Sequence, residues 1–204
     1  MIKRTKFNVS ILGEMSVGKT CIVNSLKGME FDENQIATIG VDDVIDEAVF
    51  DNQVYKFKIF DTAGQERYKS ISSKTIQIAD GFLIVFSVDN IKSFECLISW
   101  IQDIEEKVNR SEKIIILIGN KIDIEGEKRV IGNEKATAFA KKYKMKYFET
   151  SAKTGFRIKE AFHTLYEDIY ELNKKLNKNE NIKITGDDIQ KKGDDKKDKG
   201  KGCC

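Results

Sequence analysis

The chain has 204 residues, of which 40% are hydrophobic and 33% are charged, which is enough for one substantial core and a further segment. Its net charge of +2 is too small to indicate nucleic-acid binding. Its longest apolar runs, residues 82–86 and 114–118, are far below the roughly 18 residues of a membrane span, and residues 1–6 do not begin a signal peptide, so we expect a soluble intracellular domain with reduced cysteines.

A predicted strand at residues 7–12 leads into a glycine-rich loop at residues 13–20 and then into a predicted helix. The loop reads Gly-Glu-Met-Ser-Val-Gly-Lys-Thr and fits the phosphate-binding pattern G-x-x-x-x-G-K-[ST]. Its glycines let the backbone approach oxygen atoms closely, while backbone N–H groups and Lys19 supply positive charge. The Thr20 hydroxyl suits Mg²⁺. The pattern predicts a polyphosphate site; the alternative is a chance match in a glycine-rich turn.

The rest of the chain alternates between predicted strands and helices. Residues 28–43 are interpreted as a long functional loop and residues 65–80 as a polar, mobile segment. Asp51-Asn52 is predicted to form a tight hairpin turn. In chain order the predicted elements are strands at 44–50, 54–60 and 81–88, a helix at 93–108, a strand at 113–119, a helix at 133–143, a strand at 144–149 and a last helix from Ile158 to Leu172. This alternation predicts an open, mostly parallel α/β sheet with helices on both faces and a ligand at the carboxyl ends of the strands.

Three polar stretches follow predicted strands at that edge. They read Asp-Thr-Ala-Gly-Gln at residues 61–65, Asn-Lys-Ile-Asp at 120–123 and Thr-Ser-Ala-Lys at 150–153. Parallel strands deliver such loops to the same edge of a sheet. With the glycine-rich loop, these motifs make the chain resemble a small GTPase of the Ras superfamily over about residues 6–172.

The resemblance implies a P-loop NTPase small G domain, with a three-layer, open, mostly parallel sheet of about six strands and helices on both faces. It also implies GTP and GDP as ligands, Mg²⁺ as a cofactor and slow hydrolysis of GTP. Gln65 would be the catalytic residue, which orients the attacking water. The phosphate-binding residues it implies are Gly13, Ser16, Val17, Gly18, Lys19, Thr20, Thr38 and Gly64, and the metal-binding residues are Thr20, Thr38 and Asp61. Loss of the γ-phosphate would relax the two loops that carry Thr38 and Gly64.

The same resemblance implies a site for guanine. Asp123 would accept hydrogen bonds from the N1 and N2 donors of guanine, which adenine lacks, so that adenine would leave a carboxylate unpaired. Lys121 would pack over the base, the Ala152 N–H would reach the guanine oxygen, and Ser151 would brace that loop. The full set of base-binding residues is Phe31, Asn120, Lys121, Asp123, Ser151, Ala152 and Lys153. Taken alone, an N-K-x-D string is more often an ordinary polar turn, and Phe31 could belong to the core.

Within the superfamily the chain resembles the Rab branch most closely. The residues that carry this resemblance are the runs at 39–42, 58–68 and 93–95 and the terminal pair Cys203-Cys204. Three aromatic positions of that branch differ here, where Asp43, Phe60 and Thr75 stand in place of the usual effector-facing triad. The set of effectors therefore remains unassigned. Met15 occupies a loop position where the superfamily favours small residues, and we expect it to slow hydrolysis or the response to an activating protein.

The composition changes near the C-terminus. We expect a G domain at residues 1–175 and a disordered tail at residues 176–204, because the apolar period fades and Asn, Lys and Asp dominate. Residues 191–201 hold six lysines against three aspartates. Behind a Rab-like domain, Cys203 and Cys204 resemble a double geranylgeranylation site, and two lipid chains anchor a protein stably where one does not.

The first functional interpretation is a GTP switch in vesicle traffic. It is expected to be monomeric, to bind no nucleic acid, and to cycle between the cytosol and the cytoplasmic face of an intracellular or plasma membrane. Its implied partners are an exchange factor, a GTPase-activating protein, a prenylation escort protein and a dissociation inhibitor. Two alternatives remain: a GTP-binding membrane scaffold that hydrolyses little, which Met15 and the lost triad favour, and a P-loop phosphotransferase or ATPase, which the N-K-x-D motif disfavours.

Overall fold

The computed structural model of the protein describes residues 4–33, 41–62, 69–124 and 126–191. It contains a sheet of six strands in the order β2-β3-β1-β4-β5-β6. The strands are β1 Lys6–Leu12, β2 Val41–Phe50, β3 Gln53–Thr62, β4 Gly81–Ser87, β5 Ile114–Asn120 and β6 Lys146–Glu149. Only β2 is antiparallel to its neighbour; the other pairs are parallel. The predicted fold class is confirmed.

The sheet is central because its middle strands are apolar on both faces. Every residue of β4 is buried, as expected for a parallel strand covered on both sides. The described helices are α1 Lys19–Leu26, α2 Lys69–Ile78, α3 Ile91–Glu95, α4 Leu97–Lys107, α5 Asn133–Lys142 and α6 Ile158–Lys191, with short 3₁₀ turns at Arg110–Glu112 and Gly126–Lys128. None of the helices in the described ranges is both long and apolar enough to cross a bilayer.

Helices pack on each face of the sheet. One face carries a core in which Phe82, Ile84 and Phe86 of β4 join buried residues of the helices; these are Ile76 of α2, Phe94 of α3, Trp100 of α4 and Ala136 of α5. On the other face the part of α6 up to residue 169 packs on the sheet: the Tyr166 ring stacks on Phe57 of β3 at 3.9 Å between centroids. The carboxyl ends of the parallel strands lie at one edge of the sheet, and the polar motifs follow these ends in the chain.

The β2–β3 hairpin forms as predicted around its turn. Asp51 and Asn52 have φ values of 49° and 59°, the left-handed pair that a two-residue hairpin turn requires and that Asn and Asp tolerate. The register runs from Phe50 opposite Gln53 to Val41 opposite Thr62. Strand β2 therefore begins three residues before the predicted start at residue 44, because β3 offers partners along its whole length.

Two helical regions differ from the prediction. Residues 69–78 form α2, although residues 65–80 were interpreted as a mobile polar segment; their Ser, Thr and Ile residues have only modest helix propensity, so no helix signal stands out. The helix predicted at 93–108 is instead α3 and α4, which are separated at Cys96. It also begins earlier, because the Asn90 side chain accepts a hydrogen bond from the Ser93 N–H at 3.2 Å and caps α3.

The last helix is longer than predicted. α6 continues to Lys191, past the boundary at residue 176 that the composition predicts; the division into a G domain and a disordered tail stays a prediction. The periodic spacing of apolar residues, which ends near residue 176, indicates where one face of the helix is buried. A helical backbone can continue beyond that point wherever the residues tolerate helical dihedral angles, and no proline interrupts this stretch. The chain divides into two compact units, residues 1–169 and 170–204. The terminal residues 192–204 lie outside the described part.

A prediction concerns the hold of α6 on the hairpin. The Tyr166 hydroxyl donates to Asp46 Oδ2 of β2 at 3.0 Å, and the ring is almost fully buried. Tyr166→Phe should lower the free energy of unfolding by about 1–2 kcal/mol, because it removes one hydrogen bond to a carboxylate and keeps the stacking. Tyr166→Ala should cost about 3–5 kcal/mol because it also removes the ring. Urea unfolding measures both.

The control is Glu167→Gln, an exposed change on the same helix, which should stay within about 0.5 kcal/mol of the parent. Equal losses for Tyr166→Phe and Tyr166→Ala would show that the ring contributes nothing, contrary to its contact with Phe57.

Candidate functional site

The glycine-rich loop leaves β1 along a path that only glycine permits at two points. Gly13 has a φ of 144°, and a Cβ there would lie 2.2 Å from the Val85 carbonyl oxygen of β4. Gly18 has a φ of 93°, and a Cβ there would lie 2.5 Å from Asn120 Nδ2. The two glycines thus bring the loop into close contact with the ends of β4 and β5.

Lys19 places its ammonium inside this loop. The side chain is only 4% exposed, and Nζ donates to the carbonyl oxygens of Gly13 at 2.6 Å and Glu14 at 2.9 Å. A buried ammonium is stable only with such compensation. Lys19 is also the first residue of α1, whose amino end adds partial positive charge. Ser16, with a φ of 64°, and fully buried Val17 complete a loop suited to phosphate oxygens.

Asn120, at the end of β5, joins three of the predicted motifs. It is 1% exposed. Its Nδ2 donates to the Val17 carbonyl at 2.9 Å, and its Oδ1 accepts from Thr150 Oγ1 at 3.3 Å and from the Ala152 N–H at 3.1 Å. The glycine-rich loop and the loop after β6 are therefore held together by one side chain. Thr150 was not assigned a role from the sequence, although it opens the third motif.

The Ala152 N–H was predicted to reach the guanine oxygen, and in the structure it donates to Asn120 instead. Its contact with a base stays a prediction. Ser151 braces the same region, as its Oγ donates to Asp123 Oδ1 at 2.5 Å and accepts from the Thr154 N–H at 3.1 Å. The Ser151 hydroxyl thereby orients the exposed Asp123 carboxylate. A fixed carboxylate is suited to accept hydrogen bonds from two adjacent donors on a base.

Of the remaining base residues, Phe31 lines a cavity, whereas Lys121 and Lys153 each form an ion pair. Lys121 has a φ of 67°, and its Nζ lies 3.8 Å from Asp89 Oδ2. Phe31, which is 39% exposed, lines a cavity of about 250 Å³ with Cys21 and Ala152 among others. Burial raises the pKa of the Cys21 thiol, so this side chain adds no charge to the cavity at neutral pH. Lys153 follows Ala152 in the chain, and its ammonium pairs with Glu33 at 2.7 Å.

Thr20 and Asp61 are the described residues that suit a cation. Asp61 is 2% exposed near the end of β3, where it lies in register with Ile11 of β1. Its charge contributes to the raised pKa of Cys21, which follows Thr20 in α1. No group of three acidic, His or Cys side chains that could hold a metal occurs in the part of the chain that the structure describes. These residues fit Mg²⁺, which often binds through one carboxylate, waters and substrate phosphates rather than a protein cage.

Several predicted site residues lie outside the described ranges: Thr38, Gly64, Gln65, Cys203 and Cys204. Met15 is within them and is 52% exposed on the glycine-rich loop. The Met15 side chain is therefore accessible to a ligand or protein that approaches the loop from solvent.

The three departures from the aromatic triad have distinct environments. Asp43 of β2 forms an ion pair with Lys58 of β3, which lowers the pKa of that carboxyl. The Lys58 ammonium also lies 5.2 Å from the centroid of the Phe60 ring, within the range of a cation–π contact. Thr75 is 7% exposed on α2. The hairpin surface therefore carries a charged contact at Asp43, where the resemblance to the Rab branch would imply an aromatic side chain.

Comparison with known proteins places these motifs in a family. The model of the Ras family matches residues 8–171. Ras-related protein Rab7 of Pisum sativum is 39% identical over 171 residues, covering 81% of this chain and 83% of that protein. Ypt/Rab-type GTPase ypt7 of Schizosaccharomyces pombe is 40% identical over 167 residues, covering 80% and 82%. Ras-related protein Rab-8B of Homo sapiens is 38% identical over 172 residues, covering 84% and 82%.

The Asn120 contacts generate a prediction. Asn120→Ala removes three hydrogen bonds, so that the buried Val17 carbonyl and the buried Ala152 N–H lose the partner that Asn120 provides. The free energy of unfolding should fall by about 2–4 kcal/mol, and the affinity for GDP should fall at least about tenfold because two loops lose their common anchor. Urea unfolding and equilibrium titration measure these.

Asn133→Ala is the matched control, since Asn133 lies on the surface and accepts one hydrogen bond from Thr137. It should change stability by less than about 0.5 kcal/mol and leave GDP affinity unaltered. Parent-like GDP binding by Asn120→Ala would contradict the role assigned to this residue.

Proposed function

Since the chain belongs to the Ras family as a Rab-type small GTPase, we propose that it is a guanine-nucleotide switch that recruits effectors to membranes in vesicle trafficking. The observation that carries this proposal is the joining of the Lys19 loop to the base loops through Asn120. A ligand held at this edge would have a polyphosphate at one end and a base at the other.

The phosphate end follows from charge and geometry. A triphosphate would bring its oxygens to the Lys19 ammonium, which is already held in the loop by the Gly13 and Glu14 carbonyls. Because the ammonium is nearly fully buried, its attraction for an anion is little screened by water. The N–H groups at the start of α1 would add hydrogen bonds along the same phosphates.

The base end would read guanine through Asp123. Ser151 fixes the carboxylate, so it can accept from two neighbouring donors without losing side-chain freedom on binding. Adenine would leave that carboxylate unpaired, a cost that separates the two nucleotides strongly. GTP and GDP, but not ATP, should therefore compete for the site.

Mg²⁺ would be held by the Thr20 hydroxyl, by Asp61 through water and by Thr38. When bound, it would neutralise charge on the β- and γ-phosphates. Asp61 is held rigidly at a buried strand end, and Thr20 is fixed by the first turn of α1. The cation would consequently meet two ligands that the fold has already positioned.

Hydrolysis is assigned to Gln65, which would orient the attacking water in line with the γ-phosphate. Thr38 and Gly64 would each give an N–H to that phosphate, so its loss would release both loops. Effectors would then recognise the GTP state through these loops and the adjacent hairpin. A scaffold that hydrolyses little is the second candidate, because exposed Met15 projects from the loop beside the phosphates.

Attachment to the membrane is assigned to the C-terminal residues. Cys203 and Cys204 would carry geranylgeranyl groups, and the lysines before them would add weak attraction to anionic lipid. This would place the protein on the cytoplasmic face of an intracellular or plasma membrane. It implies an exchange factor, an activating protein, an escort protein and a dissociation inhibitor as partners.

Single-turnover hydrolysis of GTP, preloaded with Mg²⁺, tests the switch. The parent should turn over slowly, Gln65→Leu should lower the rate about tenfold or more because the water loses its orienting group, and Met15→Ser should be faster than the parent. Competition by GDP but not ATP is the control for guanine binding. A parent rate no higher than that of Gln65→Leu would favour the scaffold.

Lipid anchoring is tested by partition in eukaryotic cells that express the full chain. The parent should sediment with membranes, Cys203→Ser and Cys204→Ser should each partition partly into the soluble fraction, and the double variant should be soluble. The reason is that one lipid chain gives only marginal membrane binding whereas two anchor stably. Membrane recovery of the double variant equal to the parent would refute lipidation at these cysteines.

A further inference from the structure

The loop that follows α1 approaches the base side of the site. Its start is tied to the helix, as the Gly28 N–H donates to the Ser25 carbonyl and the Met29 N–H to the Asn24 carbonyl, both at 3.0 Å. Past Met29 the loop forms a wall of the 250 Å³ cavity through Glu30, Phe31 and Asp32. The same cavity is also lined by Ala152, which follows β6.

Glu33 and Lys153 connect the loop after α1 to the segment that follows β6. Lys153 Nζ lies 2.7 Å from Glu33 Oε1, and the residues are 120 positions apart in the chain. The same ammonium lies 5.9 Å from the centroid of the Phe31 ring, at the outer limit of a cation–π contact. Proximity to the Glu33 carboxylate raises the pKa of Lys153, so the ammonium stays charged at neutral pH.

The position of this pair gives it a mechanical role. Lys153 directly follows Ala152, whose N–H is held by Asn120, so one end of the pair sits on a rigid buried anchor. Glu33 is on the loop side, and its side chain is 72% exposed. A contact between an anchored loop and an exposed one holds the exposed loop, and with it Phe31, over the cavity.

We propose that the Glu33–Lys153 ion pair is a latch on the base side of the site, and that Glu33 is a positioning residue that slows dissociation of the bound guanine nucleotide. The inference rests on the proposed function, because it requires the nucleotide base to lie between Phe31 and the Ala152 loop. Glu33 acts through Lys153 and Phe31 and touches no reacting atom. Whatever pulls Glu33 away from Lys153 would open the base side without disturbing the phosphate loop.

The size of the effect follows from exposure. The two side chains are 51% and 72% exposed, and ion pairs in such positions are weak. Breaking the pair should therefore speed nucleotide release roughly two- to fivefold, not by orders of magnitude. The effect should also fade with salt, since the Debye length falls from about 10 Å at 0.1 M to about 3 Å at 1 M.

The experiment is release of a fluorescent GDP analogue from the Mg²⁺-loaded full chain into excess GDP. Glu33→Gln should release it roughly two- to fivefold faster than the parent at 0.1 M NaCl, and the ratio should approach one at 1 M NaCl. In a Lys153→Gln background, Glu33→Gln should add nothing, because the partner is already gone. Urea unfolding of Glu33→Gln should match the parent.

The control is Glu160→Gln, which removes another exposed carboxylate paired with an arginine, Arg157, at 2.7 Å. Its release rate should equal that of the parent at both salt concentrations. Equal rates for Glu33→Gln and the parent, or additive effects of Glu33→Gln and Lys153→Gln, would overturn the latch while the proposed function stands. A parent that does not retain the GDP analogue would overturn both.

Discussion

The buried ammonium of Lys19 is the constraint on which the site depends. A charge that is 4% exposed must be compensated, and the Gly13 and Glu14 carbonyls do so only because the loop turns back over α1. That path needs a positive φ at Gly13 and at Gly18, and it brings Gly18 against Asn120. The Asn120 side chain in turn forms hydrogen bonds with both the loop and Ala152, so it fixes the two segments relative to each other. The loops predicted to bind phosphate and base are thus one connected structure.

The order of the strands explains why these loops meet. Strand β1 lies between β3 and β4, so the chain forms the β2–β3 hairpin on one side of β1 and then crosses to the other side to form β4, β5 and β6. The loops after β1, β3, β5 and β6 all leave from the carboxyl ends of parallel strands, and the crevice where strand order reverses is the usual ligand site of such sheets. Burial of β4 on both faces keeps that edge fixed.

The sequence predicted what depends on local pattern. Apolar runs identified β4 and β5, Asp51-Asn52 identified the hairpin turn, and the motifs identified the edge that holds the site. It did not predict α2 or the continuation of α6, because a helix gives little signal where helix propensity is weak or the apolar period is lost. It also did not predict the break at Cys96. Contacts between distant residues were also hidden. Thr150 to Asn120 and Lys153 to Glu33 join positions 30 and 120 apart, and no spacing in the chain indicates them.

Different interactions stabilise the buried part of the site and the exposed hairpin beside it. Around Asn120 each polar group is held by a specific partner in a dry environment, so a substitution there costs both stability and binding. On the hairpin, Asp43 and Lys58 satisfy each other in solvent, and Lys58 also covers Phe60. A protein that binds this surface must replace or accept that ion pair, which an aromatic side chain alone cannot do. The proposed nucleotide site is therefore built from buried groups that bind one another, whereas the neighbouring hairpin surface would suit partners that offer polar or charged groups.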